Sequence, residues 1–339
     1  MQGSDHLDSQ EVYTDSVASN LWKKTSERGA LFIDLDDSFY HPTVPGVTQD
    51  LYNKSVEQGW PVIVVTGNAF EGVLPRVISN QIPAPHIIVG SVGTEIWVLH
   101  DDAALQTAYR KDAAFEQHIL SMGYNRYDIA KKVADLITEM SDTESHHNFS
   151  FQHPERETSY LHKGEPTPEP FKVSLYYYTN TVEDLESLRS RLLEMFPNHT
   201  ILISYHTTYN QAHAGEDVKA YCVDILPIGK AGAVNYLTQA LNISQGMVVG
   251  DSGNDVEMLL ETSPALLSLL VGGAKKEAEV ALQTGNSIQV EDWRVNLFTM
   301  NGQTKICSID QSQKRVGPES VIAALHMLDT FRNTRTQSL

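Results

Sequence analysis

Cysteine is scarce in this sequence: Cys222 and Cys307 are the only two in 339 residues. They stand far apart and form no CxxC pair, which argues against a disulfide-stapled scaffold and reads most simply as two reduced thiols in a cytosolic protein. Long apolar runs are also lacking. None approaches the roughly 18 residues a membrane-crossing helix needs. The first residues, MQGSDHLDSQEVYTD, lack the basic start and apolar stretch of a secretion signal. A cytoplasmic location and no membrane partner are therefore expected, and the N-x-S/T triplets at Asn148, Asn198 and Asn242 carry no meaning without export. Positive charge is short as well. Against 43 acidic residues stand 25 basic ones, a formal charge of −18, so no nucleic-acid partner is expected, because phosphate backbones are bound by cationic surfaces. A phosphorylated small molecule stays open, since a bound divalent cation inverts the local field.

What is present is a series of short apolar runs that stop at polar residues. Ala30–Ile33 ends in Asp34-Leu35-Asp36-Asp37, and Pro61–Val65 ends in Thr66-Gly67-Asn68. His86–Val89 ends in Gly90-Ser91-Val92-Gly93, and Met247–Val249 ends in Gly250-Asp251-Ser252-Gly253-Asn254-Asp255. Such runs are the pattern of buried parallel strands, whose C-terminal ends are where open α/β sheets bind ligands. Ala233, Val234, Leu237 and Leu241 recur at helical spacing. Residues 103–221 differ in texture. A helix is expected near 131–140, strands at 148–152, 172–178 and 201–205, a helix over 182–196, and a Pro-rich loop at 164–170. That alternation predicts a small α+β domain inserted into the first. The expected division is a polar extension at 1–28, a core of 29–102 and 222–339, and an insert of 103–221. The parallel pattern is expected to resume at Tyr221–Leu226, residues 288–315 give no clear pattern, and a closing helix is expected at 321–328.

Asp34 and Asp36 are the chief chemical signal. Residues i and i+2 of an extended chain point the same way, and two facing carboxylates cost several kcal/mol unless a cation or proton relieves them. Alone, the pair reads more readily as a helix cap or a solvated loop; Thr66 alone reads as a turn residue and Lys230 alone as a surface lysine. Together they differ. A second acidic cluster at Asp251 and Asp255, a hydroxyl at Thr66 with neighbouring backbone N–H groups, and a lysine opening a helix after a strand make a kit for phosphoryl transfer with Mg²⁺. His146, His147 and His153 show no ligand spacing that would suggest a softer metal. The rings of Tyr176-Tyr177-Tyr178, at strand spacing, must place the middle one opposite the outer two. Packing is the plain reading, with sugar stacking open.

Leu31–Ser38, Val65-Thr66-Gly67, Lys230 and Gly250–Asp255 resemble, in order, the four motifs of the haloacid-dehalogenase-like superfamily. The resemblance implies an α/β Rossmann-like parallel sheet with an inserted type-two cap that closes over the substrate. It implies Asp34 as the nucleophile, Asp36 as general acid and base, and Thr66 and Lys230 as holders of the phosphoryl group. Mg²⁺ would be held by the Asp34 carboxylate, the Asp36 carbonyl and Asp251, with Asp255 as a further ligand or a brace. Gly67, Asn68 and Asn254 would complete the phosphate cradle. Ser91–Ile96, Phe171–Ser174 and Val223–Pro227, with segments 147–152 and 214–217, are similar to the sucrose-phosphatase-like branch. This implies a small sugar phosphate as substrate, of the hexose 6-phosphate type (kanosamine 6-phosphate or sucrose 6-phosphate, for example), with Lys172 and Glu95 as candidate sugar contacts. The sequence departs from the pattern at Asn68, where Arg is common, at Asp37, where Gly is common, and at Ser38, where Thr is usual. The loop 227–230 is also short. A phosphomutase of the same superfamily and a non-catalytic sugar-phosphate-binding protein are the alternatives.

Overall fold

Runs rich in Val, Ile and Leu become strands wherever both faces can be covered. In this computed structural model they are β1 (Gly29–Ile33), β2 (Val62–Val65), β3 (Ile87–Gly90), β4 (Glu95–Leu99) and β5 (Tyr109–Lys111). There follow β6 (Asn148–Phe151), β7 (Leu161–His162), β8 (Glu165–Pro166), β9 (Val173–Thr179), β10 (Thr200–Tyr205) and β11 (Lys219–Leu226). The chain ends with β12 (Gln245–Gly250), β13 (Leu266–Leu270), β14 (Asn286–Val290), β15 (Trp293–Met300) and β16 (Gln303–Ile309). The structure describes residues 11–23, 27–100, 108–143, 148–151, 161–162, 165–166, 170–179, 181–205, 219–271, 286–290, 293–300, 303–309 and 317–326. His146, His147, His153 and segment 214–217 lie outside them.

The core sheet has the order β14-β15-β16-β13-β12-β1-β2-β3-β4-β5. From β13 through β12, β1 and β2 to β3 every pairing is parallel, while β4 and β5 add antiparallel strands at one edge. At the other edge β16 meets β13 in parallel, and β15 and β14 continue antiparallel. Residues 30–33 and 62–65 have no exposed surface, as expected of central strands covered on both faces. The fold is α/β, with helices such as Val47–Glu57, Phe70–Ile78, Lys230–Ala240 and Gly317–His326 between or after the strands. No described helix is long and apolar enough to cross a membrane.

The chain divides into one unit of residues 1–116 with 230–339 and a second of residues 117–229. The second contains the antiparallel sheet β10-β11-β9-β6 and the helices Arg126–Thr143 and Val182–Met195. Tyr177 is fully buried and stacks on Phe149 at 4.8 Å between ring centroids, so its role is packing.

Three expectations change. Tyr221–Leu226 does not resume the parallel sheet: it lies in β11, antiparallel between β10 and β9. A buried apolar run is the same signal in either setting, and Asp224 within it is accommodated by a bond from Ser174 Oγ at 2.5 Å. β5, within the span expected for the insert, pairs with β4 in the core sheet, and the second compact unit runs over residues 117–229. Residues 11–23 are not merely peripheral. Ser16 caps the helix Val17–Trp22 by accepting from Ser19 N, and Tyr13, Ala18 and Trp22 are buried. Trp22 Nε1 donates to the Gly29 carbonyl at 2.8 Å, fixing this segment to the start of β1.

Candidate active site

Register brings the motifs together. Ile33 lies opposite Val249 on one side and Val64 on the other, and Val65 lies opposite Val89. Because these strands are parallel, the residues that follow them, Asp34, Thr66 and Asp251, emerge at one edge of the sheet. The ladder extends into the site, with Asp34 N donating to Val249 O at 3.0 Å and Thr66 N to Val89 O at 2.9 Å.

After Asp34 the chain closes on itself. Phe39 N donates to Asp34 O, Tyr40 N to Leu35 O, and Asp37 N to Tyr40 O. The turn requires Asp37 at φ +62°, a left-handed conformation that Gly adopts freely and Asp at modest cost. That explains why Gly is common at this position in the family pattern. Asp34 is buried, whereas the Asp36 side chain is half-exposed.

Lys230 is the first residue of its helix and is fully buried. Its ammonium donates to Asp34 Oδ1 at 2.6 Å and to Asp255 Oδ1 at 2.7 Å. Burial alone would lower the Lys230 ammonium, but the facing Asp255 and Asp34 carboxylates more than offset it and hold the group above its ordinary range. Burial, and after it the Asp255 charge, push the Asp34 carboxyl up to about 7, with Lys230 pulling the other way. The second oxygen of Asp255 accepts from Asp251 N, Ser252 N and Ser252 Oγ, each at 3.1 Å. Asp255 therefore braces both Lys230 and the loop that carries Asp251. The brace needs a glycine: a Cβ on Gly250 would lie 2.4 Å from the Cβ of Asp255.

Among the described residues, Asp34, Asp251 and Asp255 form a buried cluster with ligand atoms within 4.8 Å of one another. Three buried carboxylates beside one lysine leave two negative charges uncompensated if all are ionised, and isolated charges are not stable in such a setting. Oxygen donors at this spacing fit Mg²⁺, which binds through one or two carboxylates and otherwise keeps water and phosphate oxygens. With both Asp255 oxygens already engaged, Asp34 and Asp251 are the better-placed ligands. The Asp36 carboxylate is outside the cluster, so any ligand from this residue would have to be its backbone carbonyl.

Beside the cluster lies a set of neutral donors. Thr66 Oγ1 accepts from Asn68 N at 3.1 Å and from Asn68 Nδ2 at 3.2 Å, leaving its own proton to donate. Asn254 is near Gly67, its Nδ2 4.0 Å from where a Gly67 Cβ would sit, and its Oδ1 accepts from Ser252 Oγ at 2.5 Å. That bond turns the amide so that its N–H groups are available.

Glu95, a candidate sugar contact, is bonded within the protein. Its Oε1 accepts from Phe70 N at 2.7 Å and Ser91 Oγ at 3.0 Å, and its Oε2 accepts from Trp97 Nε1 at 2.9 Å. Both oxygens are taken by the protein, and Glu95 caps the helix Phe70–Ile78, whose own N-cap residue, Ala69, makes no side-chain bond. Lys172 precedes β9 in the inserted unit, where its carbonyl accepts from Arg126 Nε at 3.1 Å. Sequence reasoning missed Arg76, whose Nη1 lies 2.6 Å from Asp36 Oδ1, and Ser252, which closes the Asp255 brace. An arginine near a helix end carries no pattern of its own. Ser252 could have been suspected, since Ser three residues before Asp is close to a capping-box spacing.

Residues 31–281 match the haloacid dehalogenase-like hydrolase family. The chain is 24% identical over 249 residues to kanosamine-6-phosphate phosphatase of Bacillus subtilis (strain 168), covering 68% of this chain and 78% of that one. Its fold is similar to that of the sucrose-phosphatase of Synechocystis sp. PCC6803, solved with sucrose and phosphate, at a TM-score of 0.51 and 20% identity over 75% of this chain and 86% of that one. With the match spanning most of its length and the acids, threonine and lysine gathered at one sheet edge, this chain belongs to the haloacid dehalogenase-like hydrolase family.

Proposed function

We propose that the chain is a Mg²⁺-dependent phosphatase that hydrolyses a small sugar phosphate of the hexose 6-phosphate type through an aspartyl phosphate on Asp34. The observation that carries this reading is the buried Lys230 ammonium bonded to both Asp34 and Asp255, with Asp251 beside them. Asp34 would attack phosphorus, forming the Asp34 O–P bond as the bond from phosphorus to the sugar oxygen breaks. Asp36 gives its proton to that leaving oxygen. Asp36 then takes a proton from water, whose oxygen displaces Asp34 from phosphorus and releases inorganic phosphate. Lys230 opposes the effect of burial on the Asp34 carboxyl, and Thr66 with Asn254 would hold the phosphoryl oxygens. Mg²⁺, held by Asp34 and Asp251, would supply charge compensation for the phosphoryl group. Lys172 is a candidate for a sugar contact, and Lys172→Ala is expected to raise KM about tenfold with little change in kcat, the pattern of lost ground-state binding.

Phosphate release from a panel of sugar phosphates, with and without Mg²⁺, tests the proposal. Selective, metal-dependent release that falls about 10⁴-fold or more in Asp34→Asn supports it. A protein that binds sugar phosphates equally well as Asp34→Asn and releases nothing in either form would be a sensor instead.

A further inference from the structure

The contact between Arg76 and Asp36 is too exposed to be explained by stability. The two side chains are 29% and 50% exposed, and ion pairs of that kind contribute little to folding. Yet the arginine is held in place with care. At its N-terminus the helix Phe70–Ile78 is tied down by Glu95, whose carboxylate accepts from Phe70 N. At its C-terminal end the Arg76 carbonyl accepts from Gln81 N at 2.9 Å, Ile82 N at 3.3 Å and Ser79 Oγ at 3.2 Å. Pro75 stiffens the backbone immediately before it. The guanidinium therefore leaves a fixed backbone and ends 2.6 Å from Asp36 Oδ1, while Asn68 Nδ2 donates to Asp36 Oδ2 at 3.1 Å. Asp36 itself sits in a turn whose next residue is left-handed, and its side chain makes no other bond among those described. A half-exposed carboxylate without these two donors would sample several rotamers, and proton transfer is sensitive to small misplacements.

We propose that Arg76 is a positioning residue that fixes the Asp36 carboxylate toward the leaving-group oxygen, with Asn68 as its second support. This rests on the phosphatase reading above. The pair divides the work: Arg76 fixes one oxygen from the helix side, and the weaker amide bond leaves the other able to exchange Asn68 for the substrate oxygen. Arg76 is not assigned any contact with substrate.

The test uses leaving groups that differ in their need for a proton. An alkoxide leaving from a hexose 6-phosphate requires protonation by Asp36, whereas the nitrophenolate of p-nitrophenyl phosphate leaves without it. Because Asp36 also serves the later attack of water, the first half-reaction is read by itself. With the full chain and Mg²⁺, the rate of leaving-group release in a single turnover and its half-saturation concentration are measured for wild type, Arg76→Ala and Arg76→Lys on p-nitrophenyl phosphate and on the hexose 6-phosphate that wild type hydrolyses fastest. Arg76→Ala is expected to lose about 30-fold in that rate on the hexose 6-phosphate, with half-saturation unchanged, and less than about threefold on p-nitrophenyl phosphate. Arg76→Lys should recover part of the loss, and in an Asp36→Asn background Arg76→Ala should add nothing further. Equal losses of release rate on both substrates, weaker half-saturation alone, an undiminished release rate, or a further loss in the Asp36→Asn background would overturn the inference while leaving the phosphatase reading intact. A wild-type protein inactive on both substrates would overturn both.

Discussion

At the scale of single residues, the site is organised by one buried cation. Lys230 has no exposed surface and holds two carboxylates at hydrogen-bond distance. Replacing it with Met leaves Asp34 and Asp255 facing each other in a dry setting, and removing one partner of a buried pair costs about 3–5 kcal/mol. Urea unfolding in the presence of chelator should show a loss of that order, together with a fall in phosphate release of about 10²-fold or more. Gly250 makes a second prediction. A methyl group there would meet the Asp255 side chain at 2.4 Å, so Gly250→Ala should cost about 1–3 kcal/mol and abolish metal-dependent activity by displacing the brace under Asp251. Asp34, Thr66 and Asp251 stand where apolar runs stop, and parallel register carries them to one edge; Lys230 was marked as the residue that opens a helix, and it reaches Asp34 by its hydrogen bond. Arg76 and the capping role of Glu95 were not legible. Each depends on where a helix lies in space, and neither spacing nor residue type encodes that.

At the scale of elements, the central strands depend on local locks between neighbours. Buried His86 is one: its backbone N donates to Val62 O at 2.9 Å, its Nδ1 accepts from Val62 N at 3.1 Å, and its ring stacks on Tyr52. Burial pushes the His86 imidazole down to about 4 from its ordinary 6.5. The unfolded chain therefore takes up this proton first as pH falls, so the stabilisation is complete above about pH 6.5 and is lost as pH falls toward 4. A shift of that size corresponds to about 3 kcal/mol. Urea midpoints measured from pH 7 to 4 should decline for wild type and decline less for His86→Gln. Elements also mark the limits of sequence reading. The helices near 131–140, 182–196 and 230–241 were evident from their apolar spacing. β11 was misread because an apolar strand looks alike in parallel and antiparallel sheets once its faces are covered. β14–β16 showed no pattern because they mix Asn, Gln, Thr and Lys with their apolar residues, as strands toward a sheet edge do.

At the scale of the whole molecule, the family membership and the α/β core were visible before any coordinates, while the limits of the insert and the part played by the N-terminal segment were not. Tyr13 donates to Asp112 Oδ2 at 2.5 Å, and buried Trp22 donates to the Gly29 carbonyl at the start of β1. Deleting residues 1–23 should therefore lower the thermal midpoint of the chain, whereas a dispensable tail would leave it unmoved. The molecule carries a formal charge of −18, so a phosphorylated substrate needs local positive charge, which Lys230 and a bound divalent cation would provide. Mg²⁺ is expected to raise the thermal midpoint of wild type and not of Asp251→Asn, since a ligand held only by the folded state stabilises it by about 2.7 kcal/mol at a hundred times its Kd. The central claim is that a side-chain carboxylate accepts phosphorus. The most direct test is to quench turnover with acid in the presence of Mg²⁺ and labelled substrate, then map the labelled peptide. The account predicts a hydroxylamine-labile phosphate on Asp34 that disappears in Asp34→Asn and under chelation. Label on another residue, or rapid hydrolysis with unlabelled protein throughout, would contradict it.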